Sequence, residues 1–268
     1  MPSTNSGWWL VTKQELRVAR ADGTLLWSVA GAALFAVLLA GGVGSFTAAD
    51  WTGPDTIRLF GPLLLLVVPV TAASNAYSAI SGPRQSGRLR VPLSLPFSRT
   101  DVVYGTAIGR FVATASPVVA LVAVALPFAL TRPEMTNTLV AALGITLAGV
   151  VLTAAFCGVA VGWSAATRTP TRALLGCIAV GALCVRWWLP VDIVRYVAAG
   201  FAWPSTPRPD WLSFYGHLSP VDAYLSVLRA TGFPGAGGGN GFVGVAVLLA
   251  WAVVPVVLGA ARFRRADL

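Results

Sequence analysis

Residues 139–163 read LVAALGITLAGVVLTAAFCGVAVGW, twenty-five consecutive positions without a charge. At 1.5 Å per residue, about 20 apolar residues cross the hydrocarbon of a bilayer as a helix. A helix apolar on every side is buried in a large core or in lipid. Composition decides between the two. Of 268 residues, 56% are hydrophobic and 11% charged, and the mean hydropathy is +0.74. Soluble domains carry about 25% charged residues, so this chain has too few charges to coat a soluble fold of its size.

Five more runs of this kind lie outward from the first, at 25–46, 59–80, 108–130, 173–189 and 242–261. The run at 173–189 is short and holds Arg186 near its end. Prolines stand inside the second (Pro62, Pro69), third (Pro117, Pro127) and sixth (Pro255). Membrane helices tolerate them where neighbouring groups satisfy the freed carbonyls. No Asp, Glu, Lys or His occupies mid-span. Backbone groups in lipid must be paired within the chain, so the runs are helices or a closed barrel. Barrel strands would alternate polar and apolar residues, which these runs do not. The expected fold is one all-α integral membrane domain over 1–268 with six transmembrane helices. A cleavable signal peptide is not expected, because a charged segment precedes the first run and no small-residue cleavage site follows it.

Six spans place both termini on one side. That side holds thirteen of the nineteen lysines and arginines and four of the ten acids. The other holds six of each, so the formal charge of +9 belongs to one face. Basic connecting segments stay cytoplasmic. Both termini are therefore expected in the cytoplasm, at the cell membrane. The charge is a topology signal and implies no nucleic-acid partner.

Residues 7–22, GWWLVTKQELRVARAD, put Trp9, Thr12, Leu16 and Ala19 on one side of a helix and Lys13, Arg17 and Arg20 on another. With Trp8 and Trp9 at its start, this is an interfacial helix in contact with membrane lipid. At the opposite side of the bilayer, the segment 190–241 is long and partly apolar. Ser219 and Pro220 start a helix over 221–230, with Asp222 near its positive end. Such a segment suits short helices that lie on the outer leaflet or re-enter it.

Catalytic chemistry is not legible. His217 is the one histidine, and no HExxH, GxSxG or GxxxxGK[ST] motif occurs. No catalytic residue, metal or cofactor site is assigned. Cys157, Cys177 and Cys184 fall in or beside apolar runs and read as small buried hydrophobes. Ser74 and Asn75, the most polar pair within a span, either line a substrate path or hydrogen-bond a neighbouring helix. Gly158 and Gly162 form a GxxxG, a pattern of close helix pairing that also fits a dimer. Ion-coupled carriers show intramembrane ionisable groups. Their absence here points to an energy source outside the chain.

The basic segment 81–105, SGPRQSGRLRVPLSLPFSRTDVVYG, is where such a source would act. Its order is SGRLR, LSLP, then SRTDV: a helix, a break at Pro96, and a second helix that Ser98 can cap. Taken together, AISGPRQSGRLRVPLSLPFSRTDVVYGTAIGRF, LSPVDAYLSVL and the terminal RFRRADL resemble ABC-2 type transporter permeases. Within these, they resemble the branch associated with nitrous oxide reductase maturation. The resemblance implies a permease dimer, here a homodimer, bound to cytoplasmic ATP-binding cassette ATPase subunits that hold the ATP and magnesium. It implies that the loop 81–105 transmits ATPase motion. The loop positions are Arg84, Ser86, Gly87, Arg88, Leu89, Arg90, Leu93, Leu95, Pro96, Ser98, Arg99 and Asp101, with the interfacial helix as a second contact. The family pattern has acids where this chain has Pro83 and Gln85, and often a lysine at Thr106. Cargo is not named by the sequence. The uncharged spans fit a lipid or amphiphile, whereas the maturation branch implies copper- or sulfur-related cargo or mechanical work on an outer-side accessory protein. A non-transporting membrane scaffold or an ATP-independent carrier remain the alternatives.

Overall fold

Each apolar run becomes a helix, and most helices outgrow the run. The structure is a computed structural model that describes residues 7–46, 51–88, 98–203, 207–233 and 240–265. The N-terminal helix α1 (Gly7–Ala21) leads into α2 (Thr24–Phe46). The second span is a rod of three helical pieces, α3 (Gly53–Arg58), α4 (Phe60–Ala76) and α5 (Ser81–Gln85). Then come α6 (Arg99–Leu130), α7 (Met135–Ala166) and α8 (Pro170–Val185). On the other side of α8 follow α9 (Leu189–Ala198), α10 (Ser213–His217) and α11 (Pro220–Ala230), and α12 (Gly241–Arg264) closes the chain. Five helical rods are long and apolar enough to span a bilayer. The sixth candidate is the pair α8–α9, bent by 72°. The protein is therefore an all-α integral membrane protein.

The extra length has local causes. The second span begins at Gly53, six residues before its apolar run, because Thr52 and Asp55 form a capping box and Pro54 sits in the first turn. The Gly53 N–H donates to Pro133 O at 3.2 Å, and a side chain at Gly53 would collide with Thr138. The third span begins at Arg99, nine residues before its run, because Ser98 caps it. At 32 residues α6 is about 48 Å long. That exceeds the roughly 30 Å of hydrocarbon, so it projects beyond the bilayer.

The centre of the bundle is α7, which packs against α3, α4, α6, α8, α11 and α12. Its closest partner is α12. Side chains at Gly158 and Gly162 would strike the carbonyls of Ala252 and Pro255, and one at Gly259 would lie 2.5 Å from Gly162 O. Backbone touches backbone here, which needs glycine. The GxxxG is thus filled within the chain, against α12, and does not present a face to a second copy.

Helix α8 has 16 residues and is about 24 Å long, short of a full crossing. The remaining depth is filled from the other side. Helix α11 runs antiparallel along α12: Gly241 meets Ala230 and Gly244 meets Ser226. Trp251 Nε1 donates to Leu218 O at 3.0 Å. Leu218 therefore sits about 15 Å along α12 from Gly241, near mid-bilayer. The segment after α9 packs back against the bundle. Its anchor is Tyr224, fully buried, whose hydroxyl donates to Gly61 O at 2.9 Å. Trp187 stacks on Tyr215 at 5.1 Å, and the two residues exchange hydrogen bonds with each other's carbonyls.

Candidate coupling site at the basic end

The ends of α1, α5, α6, α7 and α12, and the start of α8, gather the basic residues at one end of the bundle. Here the second span stops. Ser86 closes α5, and Gly87 follows with φ +71°, a left-handed conformation that glycine adopts without strain. Arg88 is exposed. Leu89, Arg90, Leu93, Leu95 and Pro96 lie outside the described residues. The chain resumes at Ser98, whose N–H and Oγ both donate to Asp101 Oδ2, at 3.0 and 2.6 Å, while its Oγ accepts from Asp101 N at 3.1 Å. Asp101 is thus spent on starting α6.

Both ends of the loop are fastened to other spans. The helix of the second span breaks at 77–80, which frees backbone donors. Ser164 of α7, fully buried, accepts from Ile80 N at 3.0 Å and Ser81 N at 3.1 Å. Beyond the loop, Arg99 donates from one Nη to the carbonyls of Phe263 and Arg264, at 3.4 and 3.3 Å. These are the last carbonyls of α12, where a cation meets the negative end of the helix. The Arg84 guanidinium lies 5.8 Å from the centroid of the Phe263 ring.

The N-terminal helix α1 is held more tightly than amphipathicity alone requires. It lies against the projecting part of α6. Thr12 Oγ1 donates to Gly105 O at 3.1 Å. A side chain at Gly105 would come within 2.5 Å of Trp8 O, and one at Gly109 within 2.6 Å of Glu15 Cβ. The contact face runs through Val11, Thr12, Glu15 and Ala19, about one position round from the expected Trp9, Thr12, Leu16 and Ala19. The packing takes the residues that fit two glycines. Trp9 stays exposed with Lys13 Nζ 5.2 Å from its ring centroid, and Trp8 is at the edge of exposure. Lys13, Arg17 and Arg20 point to solvent.

Glu15 went unremarked in the sequence as anything but a charge. It is mostly buried and its Oε2 lies 3.0 Å from Arg110 Nε. Burial pushes its carboxyl above the usual glutamate range, against the pull of Arg110. The signal was present: an acid three residues after Thr12 and four before Ala19, on the face of the small residues. Thr106 is buried in α6.

The remaining candidates are spread along the spans. Ser74 Oγ donates to Val70 O of its own helix at 2.8 Å, and the residue lines a small lateral cavity between α4, α7 and α8. Asn75 Nδ2 approaches Thr114 Oγ1 at 3.4 Å, joining α4 to α6. The pair points to different neighbours. Among the described residues, no group of three His, Cys, Asp or Glu is placed to hold a metal.

A family model described as ABC-2 family transporter protein matches residues 11–268. The chain belongs to the ABC-2 transporter family. It is a multi-pass membrane permease subunit of an ABC transporter, a type of chain that associates with an ATP-binding cassette ATPase. The match is to the family as a whole and does not single out the nitrous oxide reductase maturation branch. No curated protein matches the permease. The matched span includes all the helices from within α1 onwards, the basic loop and the segment between α9 and α12.

Proposed function

We propose that the permease draws its energy from a separate cytoplasmic ATPase that docks on the loop 81–105. The ATPase holds the ATP and magnesium, and the permease hydrolyses nothing. Closure of the ATPase pair pushes the loop, and the spans convert the push into export or into mechanical work on an outer-side partner. The observation that carries this reading is the fastening of both loop ends. Ser164 ties the incoming end to α7, and Arg99 ties the outgoing end to α12. A load on the loop would therefore reach four spans at once, the second span, α6, α7 and α12, with α7 and α12 locked through glycine. Lys13, Arg17 and Arg20 on α1 offer the second contact. In this reading the basic end and both termini face the cytoplasm, and two permease copies form the working unit.

The test is co-purification. Charge reversal at Arg88 and Arg90, or Leu93→Asp, is expected to leave membrane insertion intact and to abolish recovery of the ATPase. Recovery at the wild-type level in all variants would overturn the docking assignment. ATP turnover by the purified permease alone would overturn the division of labour.

A further inference from the structure

At the basic end, five arginines converge on one cavity of about 480 Å³: Arg84, Arg168, Arg172, Arg262 and Arg265. Among the described residues, no acid lines it. Arg168, Arg172, Arg262 and Arg265 are exposed, and Arg84 is half-buried. The four exposed arginines, Arg168, Arg172, Arg262 and Arg265, focus positive potential on the cavity and so favour an anion there. A second feature adjoins this one. A groove of about 970 Å³ runs along the lateral face between α7, α8 and α12, and it shares Ala166, Arg262 and Arg265 with the arginine cavity. Its wall is apolar, with Trp163, Val180, Val254 and Leu258.

The dimensions of the groove are informative. It extends along α12 from Arg262 to Ala250, twelve residues and about 18 Å. Half the hydrocarbon thickness of a bilayer is about 15 Å. The groove therefore begins at the arginines and ends near mid-bilayer. Its far end is at Trp251, whose indole N–H is held by the segment after α9. A cationic pocket continuous with one leaflet's depth of apolar channel has the shape of one molecule: a phosphate on an acyl chain.

We propose that this is a binding site for an anionic phospholipid of the leaflet at the basic end. Its phosphate sits among Arg168, Arg172, Arg262 and Arg265, and an acyl chain lies along α12. Basic pockets between spans favour such headgroups, and guanidinium groups chelate phosphate oxygens in pairs. An acidic protein surface would need the arginines but not the groove. An inorganic anion would need neither the groove nor its length. The continuity of the two cavities favours the lipid. The proposal rests on Arg168, Arg172, Arg262 and Arg265, none of which is assigned to ATPase docking, so the two ideas fail separately.

The experiment uses the full chain in nanodiscs of phosphatidylcholine with or without phosphatidylglycerol. Release into detergent is followed by native mass spectrometry of the retained lipid. The wild type is expected to retain phosphatidylglycerol over phosphatidylcholine by roughly tenfold or more, given the attraction of each base for anionic lipid. The triple variant Arg168→Ala, Arg172→Ala, Arg262→Ala is expected to retain both lipids equally. Leu258→Trp, a change at an exposed position in the groove, keeps every arginine and is expected to lower retention of both lipids. Three results would overturn the proposal: an undiminished phosphatidylglycerol preference in the triple variant, unchanged retention in Leu258→Trp together with displacement of lipid by millimolar inorganic phosphate, or loss of ATPase co-purification in the triple variant with lipid preference intact. The second would make the pocket a free-anion site, and the third a protein contact.

Discussion

At the scale of single residues, the basic end is governed by groups that hold backbone ends. Ser164 supplies one oxygen to two N–H groups at a helix break, and Arg99 covers two carbonyls at a helix terminus. Asp101 and Ser98 were readable, because a capping box is a local pattern in sequence. Ser164 was not, since its partners lie more than eighty residues away. Glu15 leads to a pH prediction. Its carboxyl titrates above the usual glutamate value when α1 is docked, because burial opposes the charge. Below that usual value, docked and undocked forms are both protonated and docking is indifferent to pH. As pH rises from the usual value through the raised one, the undocked carboxyl has ionised while the docked one still keeps its proton, so docking weakens across this window and levels off above it. Fluorescence of Trp8 and Trp9 between pH 4 and 7 should report the change, and Glu15→Gln should flatten it. An unaltered profile in Glu15→Gln would assign the change to another group.

Helices are the scale at which apolar runs are most informative and contacts least. All six runs became helices, because lipid leaves the backbone no other way to pair. Their ends shifted by three to nine residues where capping or projection beyond the bilayer extended them, as at Gly53 and Arg99. The fifth fell short, and the segment after it packs back along α12, a course that hydropathy cannot tell from an ordinary outer loop. Glycine was equally ambiguous. GxxxG announces a close approach without naming the partner, and here the partner is α12. Gly162→Leu should therefore separate α7 from α12 and cost about 3 kcal/mol, the upper part of the range for overpacking. Thermal unfolding in detergent measures this. Gly31→Leu serves as the control, since nothing lies within 4 Å of a side chain placed there. Equal melting temperatures for the two variants would contradict the packing.

For the whole molecule, the charge census and the packing agree on one point: the bases collect at one end. Which side of the membrane that end faces follows from the rule for basic segments. The check is labelling of single cysteines in a background without Cys157, Cys177 and Cys184. A membrane-impermeant thiol reagent on intact cells should label Asn137→Cys, at the opposite end, and spare Gln14→Cys on α1. The reverse pattern would invert the molecule. The docking of α1 also sets an order of assembly. Its seat on α6 is made by residues far along the chain, with 93 positions between Thr12 and Gly105. At synthesis rates of about 5–20 residues per second, the first helix waits roughly 5–20 s for its seat to be made. Through that interval two tryptophans and three bases must hold it on the membrane surface by themselves. The amphipathic character of α1 is thus a requirement of the nascent chain. In the finished protein, the two glycines take over that task.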